Sequence, residues 1–303
     1  MEITGDSVQV ADEFSENPQV RSGAMLACNL RPLTTGAFRL DGGGMFGLIP
    51  KTMWSKWTEA DADNRIALVT RSLLVETRDG LVLIEAGCGD KWTDKERAMY
   101  ALAPRTAVDA LAEAGVDPRE IAHIVLTHLH FDHAAGLTRF DGAGTTNLVP
   151  VFPNARVHVQ RTEWNDALAN KSTMTRTYLR SHLEPIAHAI ELYDGAAAPL
   201  DRIELLPTRG HTWGHQSILV RPPAGETSPS VLFAGDACPT FHHAHPAASL
   251  GYDMLAYDAM LSKREILGRA AREGWLVAFD HDPHHAFARA TEHDGRVELT
   301  PHS

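Results

Sequence analysis

The sequence predicts a single α/β domain built on mixed β-sheets. Three observations carry that expectation. Short apolar runs of strand length alternate with segments of helical spacing along the whole chain. Several of the runs are joined by tight turns, which adds antiparallel pairs to the parallel ones that crossovers make. No linker, repeat or low-complexity stretch divides the 303 residues, a length that one large domain can fill. The expected boundaries are an N-terminal arm over 1–22 and one domain over 23–303.

Taken in order, apolar runs over 24–40 predict short strands broken by Pro32 and Gly36. A glycine-rich loop over 41–54 follows. Its Lys51-Thr52 pair lacks both the preceding glycine and the strand-to-helix frame of a phosphate-binding loop. Met45, Phe46, Ile49 and Trp54 in that loop are expected to pack on a neighbouring element, or else to form a pocket lip or a homodimer contact across 45–57. Runs 66–77 and 81–85 read as a hairpin turning at Arg78-Asp79-Gly80. Helical spacing over 104–114 ends at Gly115, a C-cap residue. A buried strand is expected over 121–126, another at 157–159, and a short helix over 163–170. The stretch 178–192 reads as a helix broken at Pro185. Strands follow at 203–206, 217–220 and 231–234, the last two joined by a loop over 222–230. A helix over 263–273 and a final buried strand over 275–279 complete the reading.

Charge excludes two classes of partner. Lys and Arg number 28 against 39 Asp and Glu, a formal net charge of −11. With no basic run to offset it, that charge repels nucleic acid and anionic membrane surfaces. No uninterrupted apolar stretch approaches the length of a membrane span. The polar, acidic start lacks the basic and apolar regions of a signal peptide. Cys28, Cys88 and Cys238 are far apart and form neither a CxxC pair nor a disulfide framework. A reducing compartment, the cytoplasm, is the expectation.

The seventeen histidines are the one compositional excess, and their placement carries the chemistry. His128, His130, Asp132 and His133 fall within six residues of one another, directly after the strand expected over 121–126. Buried imidazole and carboxylate groups must be paired or must coordinate a metal, because an unpaired buried charge is prohibitively costly. Where a strand ends the chain turns, so side chains at i, i+2, i+4 and i+5 can converge on one small volume. Three later strand ends repeat the pattern: Gly210-His211-Thr212-Trp213-Gly214-His215, Gly235-Asp236 and Asp280-His281-Asp282. Singly these are ordinary, since Asp after Gly often caps a helix. The ordered set of four points to a metal centre.

On those residues the chain resembles the metallo-β-lactamase superfamily of metallohydrolases. The match comprises H-x-H-x-D-H at 128–133, G-H-T-x-G-H at 210–215, Gly235-Asp236 and His281, and with the strands between it covers residues 30–290. The resemblance implies an αββα sandwich, two mixed β-sheets flanked by helices, holding two divalent metal ions. Zn2+ suits the His and Asp donors, and Fe, Mn or Co suit the same mixed set. By the resemblance His128, His130 and His211 hold one metal, Asp132, His133 and His281 the other, and Asp236 bridges both. His215 then supports the site without binding metal. The implied chemistry is hydrolysis, with a bridging hydroxide made available near neutral pH by the paired metals.

Within the superfamily, Met45-Phe46-Gly47-Leu48-Ile49-Pro50-Lys51, Gly87-Cys88-Gly89-Asp90-Lys91-Trp92 and Asp236-Ala237-Cys238-Pro239-Thr240 look like the bacterial branch that contains N-acyl homoserine lactonases. That branch implies a lactone or other carboxylic ester as the small-molecule substrate, the hydroxide attacking its carbonyl. A thioesterase of the glyoxalase II type, a phosphotriesterase, or a metal-binding protein without turnover is the alternative on the same ligands. The chain departs from the family pattern twice. Glu85-Ala86-Gly87 stands where an Asp-Thr-Gly is usual, and the family Asp supports a ligand there. Pro239 stands three residues after the bridging Asp, where the lactonases carry a substrate-positioning Tyr. Tyr252, Tyr257 and His243 are the substitutes, and spacing does not choose among them. The catalytic candidates are therefore Asp132, Asp236, His243 and Tyr252.

Overall fold

Two mixed β-sheets organise the chain, and each keeps one face for the other. The computed structural model describes residues 29–174 and 176–302, so the arm expected over 1–22 and Cys28 lie outside the described residues. In chain order the strands are β1 (Leu30–Asp41), β2 (Arg65–Thr77), β3 (Gly80–Ile84), β4 (Ile121–Val125), β5 (Thr138–Phe140), β6 (Leu148–Pro150), β7 (Arg156–Gln160) and β8 (Ile190–Tyr193). They continue with β9 (Ala197–Leu200), β10 (Ile203–Pro207), β11 (Gln216–Val220), β12 (Val231–Phe233), β13 (Leu276–Ala278), β14 (Phe287–His293) and β15 (Arg296–His302). The first sheet runs β1-β2-β3-β4-β7-β8 and the second β15-β14-β13-β12-β11-β10-β9, while β5 and β6 pair with each other.

The pairing explains the mixture. β1, β2 and β3 are antiparallel, whereas β3, β4, β7 and β8 are parallel and are fed by helical crossovers. In the second sheet only β12 and β13 run parallel, with the helix Ala256–Glu273 between them in the chain. Three buried clusters then define the layers. Leu73, Val82 and Val125 of the first sheet meet Ile218, Phe233 and Leu276 of the second in the central layer. Ala107, Ala110 and Leu111 of the helix Ala107–Glu113 cover the outer face of the first sheet. Ile266, Leu267 and Ala270 cover that of the second. Helix, sheet, sheet, helix is the αββα sandwich expected, and no helix among the described residues is long and apolar enough to cross a membrane.

Four expectations need correction. β1 runs unbroken through Pro32 and Gly36, with a register shift between Thr34 and Gly36. It is an edge strand, where a residue without N–H is tolerated and a bulge absorbs the irregularity. Residues 178–192 form an α-helix at Arg180–Leu183, then a 3-10 helix over Glu184–Ala189, and only then strand β8. Pro185 stands where the α-helix gives way to the 3-10 helix, the break expected there, and parallel pairing of Ile190 with Val157 turns the last residues into strand. Strand β13 is not the last, because the half-exposed hairpin β14–β15 follows it. Residues 41–54 are two short helices, Gly42–Phe46 and Lys51–Trp54, rather than open loop. Met45, Phe46, Ile49 and Trp54 of this segment are buried with Phe38 and Leu68, and Leu48 and Met53 are the large apolar side chains it exposes.

One buried histidine gives the fold a pH signature away from the metal-ligand candidates. His158 on β7 lies with Nε2 3.0 Å from His123 Nδ1 and Nδ1 2.8 Å from the Tyr193 hydroxyl. Burial, and next His123, push its pKa down to about 4. The unfolded chain therefore takes up this proton first, and the stabilisation present above pH 6.5 is lost as pH falls toward 4. In urea unfolding of metal-free protein, the wild type should lose about 2–3 kcal/mol more than His158→Gln between pH 7 and pH 4. Parallel pH curves for the two proteins would contradict this.

Candidate metal centre

The strand ends that carry the polar clusters are drawn together by side chains that cross between the sheets. Gln216, at the start of β11, donates from Nε2 to Leu126 O at 2.7 Å and from its backbone to Thr127 O at 3.0 Å. That ties the end of β4 to the second sheet. Glu163, fully buried, clamps the two histidine motifs to each other. One of its oxygens accepts from Leu129 N and from the Tyr178 hydroxyl, both at 2.9 Å. The other accepts from Thr212 Oγ1 at 2.6 Å. Gly214 must lack a side chain for this approach, because a Cβ there would lie 2.3 Å from Glu163 N.

The result is two groups of donors that share one carboxylate. His128, His130 and His211 form the first and His133, Asp236, Asp280 and His281 the second, with ligand atoms inside each group within 4.8 Å of one another. Asp236 faces both. Its Oδ2 is 3.1 Å from His211 Nε2 and 3.9 Å from His128 Nε2. Its Oδ1 is 3.2 Å from His281 Nε2 and 3.6 Å from His133 Nε2. Asp132 reaches the second group too, at 3.7 Å from His133 Nε2 and 3.6 Å from His281 Nε2.

Hydrogen bonding shows that these atoms are kept for something other than protein. The Nε2 atoms of His128, His133 and His281 and the Oδ1 of Asp236 are buried without a hydrogen-bond partner. Orphaned polar atoms of this kind are costly singly, and four converging on one volume match the donor set of a metal centre. The far ring nitrogens are meanwhile supported. His128 Nδ1 meets Thr127 Oγ1 at 3.0 Å, His211 Nδ1 meets Asp253 Oδ1 at 3.0 Å, and His281 Nδ1 meets Val69 O at 2.8 Å. Such partners fix ring orientation and ligand basicity.

The field differs between the groups. Burial and the neighbouring imidazoles hold His128 and His130 well below the ordinary histidine pKa. Burial opposes protonation of His133 and His281 as well, but the carboxylates outweigh it. Asp132, Glu85 and Asp236 raise His133, and Asp280 with Asp236 raises His281 to about 9. His211 in the first group is raised too, by Asp236 and Asp253 against its burial, so the rings that draw positive charge are those that face carboxylates.

Beside the donors lies a cavity of about 340 Å3. Its lining includes His130, Asp132, His211, Asp236 and His281 together with Met45, Met99, Tyr100, Phe131, Met254 and Tyr252. Of the three substitutes for the missing Tyr, Tyr252 alone lines this cavity; Tyr257 is exposed. Burial, then the charges of Asp41 and Asp132, keep the Tyr252 phenol protonated well above its usual range. Its room comes from Gly44, where a Cβ would lie 2.0 Å from the Tyr252 hydroxyl. His243 is the correction. It is buried behind the cavity, with Nδ1 2.7 Å from Thr240 Oγ1, Nε2 2.7 Å from Met45 O and its ring stacked on Phe46. With both nitrogens engaged it has none to offer a substrate.

His215 stands beside the first group with Nδ1 2.9 Å from Thr208 Oγ1, and burial pushes its pKa down to about 3. Glu85 occupies the place of the usual Asp and reaches His133 Nδ1 at 3.3 Å. Sequence alone assigns no role to Glu163 or Asp253, and names Asp280 only as part of a polar strand end. Glu163 is a lone acid in a helix and gave no signal. Asp253 follows the candidate Tyr252 and Asp280 precedes the ligand candidate His281, so both could have been found there.

Comparison with known proteins agrees with this geometry. The family model described as the metallo-beta-lactamase superfamily matches residues 65–281. An N-acyl homoserine lactonase of Bacillus thuringiensis is 30% identical over 224 residues, 69% of this chain and 79% of that one. A crystal structure of a probable metal-dependent hydrolase from Staphylococcus aureus superposes with a TM-score of 0.81 at 26% identity, covering 93% of this chain and 99% of that one. A dizinc quorum-quenching lactonase with a product bound shares the fold at a TM-score of 0.73 and 20% identity, covering 93% and 97% of the two chains.

Proposed function

The chain belongs to the metallo-β-lactamase superfamily of hydrolases, and from that premise we propose that it is a dinuclear lactonase or carboxylesterase acting on a small apolar-tailed ester. The observation that carries the dinuclear reading is Asp236, whose two oxygens face two separate histidine groups at 3.1 and 3.2 Å. In this reading His128, His130 and His211 hold one divalent cation, Asp132, His133 and His281 the other, and Asp236 both. Zn2+ is the first candidate for this mixed set. Such a pair supplies Lewis acidity and a water of lowered pKa.

The chain's own residues do the rest. The methionines and aromatics of the cavity exclude water and receive an acyl tail, as apolar pockets with few polar groups do. Tyr252, kept protonated, donates to the ester oxygen on which negative charge develops. The sequence of the lactonase relative supports a lactone as substrate. Two buried free thiols, Cys88 and Cys238, suit a reducing compartment such as the cytoplasm.

A substrate panel on metal-loaded protein tests the reading, comparing acyl lactones with aryl esters, thioesters and phosphotriesters. Lactone or aryl ester hydrolysis should dominate. Protein holding two metal equivalents that turned over neither would overturn it. Tyr252→Phe should lower kcat about 10²-fold, with metal content and KM little changed. Gly44→Ala should lower kcat similarly by displacing the phenol, since its Cβ overlaps the Tyr252 hydroxyl at 2.0 Å. An unchanged kcat in both would remove Tyr252 from the reaction.

A further inference from the structure

Asp280 falls among the donors of the second group by distance but holds no cation in the ligand set proposed above, yet it is 1% exposed and both of its carboxylate oxygens lack a hydrogen-bond partner. Supporting His133 is not its task. Glu85 Oε2 lies 3.3 Å from His133 Nδ1, closer than Asp280 Oδ2 at 4.0 Å. Nor is it paired with Arg71, the nearby buried cation, whose guanidinium donates to the backbone oxygens of Phe279 and Asp282 at 2.5 and 2.8 Å. What Asp280 Oδ2 does face is His281 Nε2 at 3.7 Å, the same unpartnered nitrogen that faces Asp132 and Asp236. Donors of one first-row cation stand about 2.0–2.2 Å from it, so two of them lie within roughly 4.4 Å of each other. The Asp280 separation from His281 falls inside that limit.

We propose that Asp280 is a further ligand of the second cation, which makes that position oxygen-rich and gives the two positions different metal preferences. The inference rests on the dinuclear reading and deepens it. The first position offers three imidazoles and one shared carboxylate oxygen. The second offers His133 and His281 with Asp132, Asp236 and Asp280. Imidazole favours Zn2+ and its neighbours, whereas carboxylates favour harder cations such as Mn2+ and accept higher coordination numbers. The buried charge of Arg71, which Asp282 and Asp280 stabilise, offsets part of the added negative charge. The second cation is then the weaker Lewis acid of the pair, because one more anion neutralises it.

Competition titration of the wild-type chain with Zn2+ and Mn2+, read by metal analysis after desalting, tests the proposal without a variant. The preference for Zn2+ over Mn2+ should be at least about tenfold smaller at one position than at the other. Asp280→Asn keeps the shape and removes the anion. It should weaken Mn2+ at that position about tenfold or more while changing Zn2+ at the imidazole position less than about threefold. In Co2+-substituted protein, the absorption of the five- or six-coordinate ion should shift in the variant toward that of a lower-coordinate one. Equal Zn2+ to Mn2+ preferences at the two positions of the wild type overturn the proposal. So does an Asp280→Asn protein with wild-type Mn2+ affinity and Co2+ spectrum. A chain that binds no second cation overturns both this proposal and the dinuclear reading. A chain with the expected metal discrimination that opens no lactone overturns only the substrate class.

Discussion

Asp236→Asn is expected to lower kcat/KM by about 10³-fold or more and to leave the chain unable to retain a pair of cations. The size follows from what the carboxylate does at both faces. Oδ2 lies 3.1 Å from His211 Nε2 and Oδ1 3.2 Å from His281 Nε2, so each donor group would lose its shared anion. An amide offers one weaker oxygen in place of two charged ones. Metal analysis and kinetics check the first part of the claim. Chelation checks the second. Where a ligand binds only the folded state at a thousand times its Kd, it adds about 4 kcal/mol of stability. A chelator should therefore lower the Tm of the metal-loaded wild type and leave that of Asp236→Asn nearly unmoved. A variant that kept two metals and a chelator-sensitive Tm would show that Asp236 does not bridge.

How much of this was legible in the sequence follows from how local each feature is. Ligand types clustered after apolar runs are local, so His128, His130, Asp132, His133, His211, Asp236 and His281 could be named from their order. Of the strands that carry them, β12 and β13 are short, apolar and fully buried, while β4 buries three of its five residues and β10 buries Ile203 and Leu205, so short apolar runs report them. What failed was non-local. Pro32 and Gly36 read as breaks because a sequence does not say which strand is an edge. Residues 190–192 read as helix because their strand character exists only through pairing with β7. β15 alternates half-buried and exposed residues without an apolar run, and β14 is its one strand partner.

The same distinction separates the candidate ligands from the residues that support them. Glu163, which binds Leu129 N and Thr212 Oγ1, lies 34 and 49 residues from those partners. Nothing in its own surroundings announces the contact. His243 and Tyr252 were equally eligible by spacing, and packing decided between them. Phe46 stacks on His243 at 5.0 Å and Met45 O takes its second nitrogen, whereas the side chain missing at Gly44 leaves Tyr252 its place at the cavity.

Glu85 is the departure from the family pattern on which the structure bears most directly, and replacing it should separate its two roles. Its backbone is held at φ +66°, a left-handed conformation uncommon for residues with a side chain. Its carbonyl accepts from Ser72 Oγ at 2.8 Å. From that position Oε1 accepts from Thr127 N at 2.7 Å and Oε2 faces His133 Nδ1 at 3.3 Å. The longer side chain thus reaches both the turn that starts the first histidine motif and a ligand ring within it. Glu85→Ala removes both contacts. It leaves a buried N–H without an acceptor, which should cost about 1–3 kcal/mol in urea unfolding of metal-free protein. It should also weaken metal binding by about 10–100-fold, because His133 loses its orienting partner. Glu85→Gln keeps an acceptor for Thr127 N but no longer offers a charge to His133. It should therefore keep most of the metal-free stability and still lose metal affinity. Glu85→Asp, one methylene shorter, cannot span both contacts from the same backbone. It should keep one and fall between the other two variants in metal affinity. Equal metal affinity in wild type and Glu85→Gln would show that the carboxylate serves the turn at Thr127 alone.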